Sequence, residues 1–219
     1  HIVRDAFMHD FESSYDDEFI KDNNTVDLLW EGLANGNGKI FKTLSRILEN
    51  TIQDFPKKRV VLHIVTDPTI CKFSNYFCKE TYLYMHDIFS NNNIEIQVHN
   101  WSAKILLQLS SIVDIALIPV PDDSVMKNKP ENKLILYWFL KIPVICSNTE
   151  AYTRVMGDSD LLKFCPKEMD WGLLMKQLVL SNDERSCYLE KMSNYISKNY
   201  TEEIIMKSWN DVFKGSKLD

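Results

Sequence analysis

Apolar residues in this chain follow two alternating patterns. Short, nearly continuous apolar runs of strand length are separated by longer stretches whose apolar positions recur every three or four residues. The runs are VDLLW at 26–30, RVVLHIV at 59–65, VDIALIPV at 113–120 and PVIC at 143–146. Residues 94–100 alternate, with Ile94, Ile96 and Val98 against polar partners, and LLKFC at 161–165 is a short sixth run. The helical spacing predicts a helix over 39–55, with Ile40, Leu44, Ile47, Leu48 and Ile52 on one face. It predicts others over 74–90, 102–110 with Ser102 as N-cap, 132–140, and 149–156 ending at Gly157. From 167 almost to Gly215 the chain reads as helical, with a break near 181–183.

Strands apolar along their whole length belong to a sheet covered on both faces, and strand–helix alternation makes that sheet parallel. The expected fold is α/β: a doubly wound, six-stranded, Rossmann-like parallel sheet in the order 3-2-1-4-5-6, with a helical C-terminal tail. Residues 1–25, acidic and irregular, read as an interdomain linker or N-terminal extension. Residues 26–219 read as one domain.

Composition narrows the function classes. The chain has 219 residues, 45% hydrophobic and 26% charged, which suits a folded core. A net charge of −6 argues against general affinity for nucleic acid or anionic membrane. No apolar run is long enough to span a bilayer. The opening HIVRDAFMHDFE has no signal-peptide layout and no initiating Met, so the chain is expected to be part of a longer protein. Cys71, Cys78, Cys146, Cys165 and Cys187 are odd in number, widely spaced and without a CxxC pair. That pattern disfavours a disulfide framework or zinc site and suits a reducing cytoplasm, with most of the cysteines in the core.

In an open parallel sheet, ligands bind beyond the carboxyl ends of the strands. There the first strand runs into the glycine-rich WEGLANGNGK, whose backbone and following helix N-terminus suit a phosphate. It matches neither GxGxxG nor GxxxxGK[ST], and is equally a flexible turn. Lys129 and Lys133 of KPENK stand four apart at a helix start, suited to a diphosphate or simply to a solvated charged turn. Trp101, beyond the third strand, suits a nucleobase or covers the sheet edge. His63 and His99 have no nucleophile or metal-ligand spacing and read as structural. Asp122 and Asp123 read as a solvated turn.

VDIALIPV followed by KPENKLILYWFLKIPVICSNTEAY resembles the nucleotide-sugar-binding segment of GT-B glycosyltransferases close to family 4 (glycosyltransferase group 1). Asn132, Lys133 and Leu134 align with that family's S/N-K-L, Tyr137 with its aromatic, and Pro143-Val144-Ile145 with its PVI strand. VDLLWEG is similar to the family's W-x-G ending, IEIQVHNWS to its third strand, and IVRDAF to its interdomain connection. The resemblance implies a C-terminal, donor-binding half. Lys133 and Lys129, with Asn132, would hold the diphosphate. Gly32 and the turn containing Asn35, Gly36 and Gly38 would face phosphate or sugar, and Asn100, Trp101 and Ser102 would frame the base. The donor implied is a UDP- or GDP-sugar, with no further cofactor and no metal. The reaction implied is glycosyl transfer, of the kind used in bacterial cell-surface polysaccharide synthesis. The acceptor site would lie on a missing N-terminal domain, through which peripheral membrane association is also implied, and the present chain alone would turn over little. Two positions depart from the pattern. The family's ribose-binding carboxylate falls at Leu136, and its glycine before the PVI strand falls at Lys141. The first departure fits the alternative of a degenerate, non-catalytic scaffold or interaction module. An NAD-type domain is disfavoured by the absent fingerprint.

Overall fold

A computed structural model describes residues 19–34, 38–51, 55, 57–72, 77–90, 94–122, 124–166 and 170–215. Five parallel strands form the sheet: β1 (Thr25–Glu31), β2 (Arg59–Thr66), β5 (Glu95–Asn100), β6 (Ile115–Ile118) and β7 (Val144–Cys146). Their order is β5-β2-β1-β6-β7, the succession expected for the first five runs. The apolar runs are buried because helices lie over both faces. On one of them Trp30 packs edge-on against Phe41 of α1 (Gly38–Thr51), with ring centroids 4.7 Å apart.

The expected sixth strand does not form. Leu162–Phe164 is a turn of 3-10 helix. The outer edge of β7, where a sixth strand would pair, is taken by a side chain of α8 (Asn182–Asn199). The Tyr188 hydroxyl accepts from Val144 N–H (3.0 Å) and donates to Val144 C=O (2.9 Å), so the edge groups are satisfied without a strand. Phe164 instead packs its ring edge-on to Tyr188.

The stretch read as a helix over 74–90 is partly a hairpin. β3 (Thr69–Lys72) and β4 (Phe77–Glu80) pair antiparallel, and only then does α2 (Thr81–Phe89) begin. The hairpin sets Cys71 opposite Cys78, and the two form a disulfide. The sequence pattern had disfavoured a disulfide framework, and this single bond departs from that expectation. The pairing is local, and a helix over those residues would have hidden it. Cys146 and Cys165 are buried, as expected of core cysteines, and Cys187 is exposed.

The remaining helices are α3 (Ala103–Ser110), α4 (Ser124–Lys127), α5 (Asn132–Phe139), α6 (Glu150–Asp158), α7 (Trp171–Leu180) and α9 (Glu202–Gly215). Ser102 caps α3 as expected, accepting from Ile105 N–H at 3.1 Å. α6 does not end at Gly157, which is helical. Asp160 takes the left-handed turn instead (φ 57°), with Leu161 N–H bonded to Met156 C=O and Asp160 N–H to Gly157 C=O. No helix among the described residues is long and apolar enough to cross a membrane.

Candidate functional site

Parallel strands deliver their C-terminal residues to one edge, and three of the expected residues meet there. β1 ends in Trp30-Glu31-Gly32, β5 ends at Asn100 followed by Trp101, and α5 sends Lys133 back towards β1. The Lys133 ammonium donates to the Glu31 backbone carbonyl and lies 3.6 Å from Glu31 Oε2. It also sits 5.0 Å above the centre of the Trp30 indole, a cation–π distance. The Trp101 indole N–H donates to Glu31 Oε1 at 3.0 Å. One carboxylate therefore joins the aromatic of the third parallel strand to the amine of α5.

Gly32 makes this convergence possible. Its N–H continues the ladder to Val65 C=O (3.1 Å), and its φ of 148° is a conformation that favours glycine. A Cβ there would stand 2.8 Å from Lys133 Nζ. The glycine is thus where the amine is received.

The electrostatics are those of a partly dehydrated ion pair. Burial pushes the Lys133 ammonium to a lower pKa, Glu31 acts against that, and the charge of Lys129 adds to the lowering. Lys129 is therefore near enough to act on Lys133, but its surroundings differ. With Lys127, Asn128, Pro130, Glu150 and Arg154 it lines an open cleft of about 240 Å³ beside α6. Glu131, between the two lysines, is turned away. It accepts from Arg154 (2.8 Å) and from the Tyr200 hydroxyl (3.1 Å), tying the start of α5 to α6 and to the C-terminal helices. Desolvation alone would raise its pKa, but the Arg154 bond and charge with the Tyr200 hydroxyl outweigh that and lower it.

The other expected residues occupy lesser places. Asn132 is the first residue of α5, and Gly38 the first of α1, where a Cβ would stand 3.0 Å from the Tyr84 hydroxyl. Asn100 is exposed at the end of β5, and the Ser102 hydroxyl is engaged in capping α3. Asn35 and Gly36 lie outside the described residues, as does Asp123. Asp122 is exposed and paired with Lys127. Thr66, at the end of β2, has a buried hydroxyl with no hydrogen-bond partner among the described residues, while its carbonyl accepts from Trp101 N–H at 3.0 Å.

No family model matches the sequence, and no curated protein does. Solved structures do match. A mutant of TarM from S. aureus, solved with fondaparinux, α-GlcNAc-glycerol and UDP, superposes at a TM-score of 0.63 and 10% identity, covering 93% of this chain and 38% of that one. A glycosyltransferase from Rickettsia africae superposes at 0.59 and 13% identity, covering 88% and 48%. The C-terminal domain of the glycosyl transferase group 1 family protein LpcC from Francisella tularensis superposes at 0.55 and 10% identity, covering 81% and 87%. The fold is that of a GT-B glycosyltransferase C-terminal half.

The chain spans less than half the length of the full glycosyltransferases it matches. Within the GT-B framework, Lys141 is informative. It has φ 59°, a conformation glycine adopts without cost, at the position where the sequence pattern has glycine. Leu136 is half-buried against the core. The sequence reading missed Glu31, having sought cations and aromatics for a phosphate and a base. The available signal was an acidic residue set between a strand-ending Trp and the following Gly.

A second charged group lies away from this edge. Asp27, in β1, accepts from His63 Nε2 (3.1 Å), and His63 Nδ1 meets His99 Nε2 at 3.0 Å. Lys21 bridges Asp27 (2.5 Å) and Asp114 (2.6 Å), and Phe19 packs edge-on to His99. His63 and His99 are engaged with each other and with Asp27. Phe19, through His99, and Lys21, through Asp27 and Asp114, tie residues 19–21 to the sheet.

Proposed function

We propose that this chain is the donor-binding half of a glycosyltransferase and holds a UDP- or GDP-sugar at the carboxyl edge of its sheet. The observation that carries this reading is Lys133, whose ammonium is drawn to that edge and received by the side-chain-free Gly32. A cation in a partly dehydrated position stabilises a diphosphate more strongly than one in water, and most of all a diphosphate gaining charge as a leaving group. Trp101, 55% exposed, offers an indole face for a base. Lys129 adds positive potential, and the chemistry needs no metal or cofactor. Transfer itself requires an acceptor domain that this chain does not supply. UDP bound to one of the structural neighbours accords with the donor class.

Calorimetric titration of the chain with UDP, GDP and their sugars tests the reading. Micromolar to millimolar binding, weakened at least tenfold in Lys133→Ala, is expected. Absence of binding by any nucleotide would overturn it. That outcome would favour a non-catalytic interaction module, a reading that draws on Lys133 already being neutralised by Glu31 and on leucine at 136.

A further inference from the structure

Two cysteines stand directly across a hairpin that the donor-site reading does not use. β3 and β4 form a two-stranded sheet of their own, in which Cys71 pairs with Cys78 and a disulfide joins them. A hairpin without a third strand is marginally stable in water. Among its described side chains only Ile70 is buried, while Thr69, Lys79 and Glu80 are exposed. Lys79 pairs with Asp87 of α2, but an exposed ion pair contributes little. The disulfide therefore carries much of the task of holding β4 against β3. It is also within reach of solvent, since Cys71 is half-buried and Cys78 exposed.

The residues after the bond have a second conformation open to them. From 74 to 90 the sequence pattern is helical, yet α2 begins only at Thr81, and Glu80 before it makes no side-chain cap. Thr81 N–H bonds to Pro68 C=O at 2.9 Å, and the Thr81 hydroxyl to Asp67 C=O at 2.6 Å, which closes the neck of the hairpin. Were residues 77–80 helical, the same N–H would bond to Phe77 C=O, four residues back. The neck and a longer α2 therefore exclude each other. Asp67 follows Thr66, whose carbonyl accepts from Trp101 N–H at 3.0 Å, so a change at the neck reaches the carboxyl edge.

We propose that Cys71 and Cys78 form a reversible thiol–disulfide site. Oxidised, it holds the β3–β4 hairpin beside the carboxyl edge; reduced by a small thiol, it releases the hairpin, lets residues 77–80 join α2 and shifts Trp101. In the reduction a thiolate attacks Cys78 Sγ, the Sγ–Sγ bond breaks, and Cys71 leaves as a thiolate. A second thiolate attacks the small-thiol sulfur of the mixed disulfide, Cys78 leaves as a thiolate, and the small disulfide departs. Two electrons pass from two thiols to the protein, and the protons those thiols give up end on Cys71 and Cys78. A small disulfide drives the reverse. None of this depends on the donor-site reading.

The test is NMR of the isotopically labelled chain, titrated with reduced and with oxidised glutathione, beside a Cys71→Ser/Cys78→Ser variant. Excess reduced glutathione is expected to move the Cys71 and Cys78 Cβ shifts from disulfide to thiol values, and oxidised glutathione to reverse this. On reduction the Cα shifts of 77–80 pass from strand to helix values and the Trp101 amide moves, while the amides of β1 and β6 stay in place. The double variant shows the reduced pattern in both solutions. A bond that survives excess thiol in the folded chain overturns the proposal, as does one that oxidised glutathione cannot re-form. So does a reduced chain that keeps strand shifts at 77–80, or an unmoved Trp101 amide. Unfolding of the whole sheet on reduction also overturns it, because the bond would then be a fixed staple. If the double variant does not fold, reduction and re-oxidation of the wild-type chain decide alone.

Discussion

The hydroxyl of Tyr188 occupies both outward-facing backbone groups of Val144, accepting from its N–H at 3.0 Å and donating to its C=O at 2.9 Å. It also accepts from the Trp138 indole at 3.1 Å, joining the last strand, α5 and α8 through one buried oxygen. Burial and the surrounding cysteines raise the phenol far above its ordinary pKa, though these bonds oppose the rise, so it stays a neutral donor.

Tyr188→Phe tests this arrangement. It removes three hydrogen bonds and leaves the Val144 and Trp138 N–H groups buried without partners. Lost bonds plus dehydrated donors cost about 2–3 kcal/mol. For a domain of this size that is a fall in Tm of roughly 5–10 °C. A scanning-calorimetry shift within about 1 °C of wild type would show that the edge of β7 is satisfied in another way.

The same contact explains how far the sequence could be read. Five strands were legible because an apolar run such as Val60–Val65 has only one economical place, inside a two-faced sheet. The run at 161–165 is also mostly apolar, but whether it paired depended on a tyrosine some 25 residues on. The hairpin before α2 was illegible for a related reason: its cysteines and aromatics carry neither a clean period of two nor one of 3.6. At the site, Gly32, Trp101 and Lys133 could be chosen because their chemistry is distinctive at strand ends. Glu31 could not, because its importance lies in distances to residues 70 and 102 positions away.

Acid should weaken the chain in two separate steps. Burial, reinforced by repulsion from His63, holds His99 at about 4, below its ordinary 6.5. The folded state therefore binds fewer protons than the unfolded state between those values, and stability is lost as pH falls from about 6.5 towards 4. For Asp27, burial by itself would raise the pKa. Hydrogen bonds from His63, Lys21 and Thr25, with the charge of Lys21, outweigh it and hold the carboxyl at about 2 rather than 3.8. Its contribution is lost later, as pH falls from about 3.8 to 2. In Tm-against-pH profiles, His99→Gln is expected to flatten the upper step and leave the lower one. A variant profile parallel to wild type between pH 6.5 and 4 would remove His99 from the account.

Lys141 offers a stabilising change. α5 ends in a Schellman motif: Ile142 N–H bonds to Tyr137 C=O and Lys141 N–H to Trp138 C=O, each at 3.0 Å. Such a turn needs one residue in the left-handed region, and here a lysine occupies it at φ 59°. An L-side chain in that conformation costs roughly 1–2 kcal/mol that glycine does not incur. Glycine also gives the unfolded chain more freedom, which takes back part of the gain. Lys141→Gly is therefore expected to add about 0.5–1 kcal/mol, a rise in Tm of roughly 1–4 °C. Lys141→Ala keeps the Cβ and should give little or none of it. The pair of variants separates backbone strain from the removal of an exposed charge: equal gains from both would mean that the charge, and not the left-handed turn, was the source.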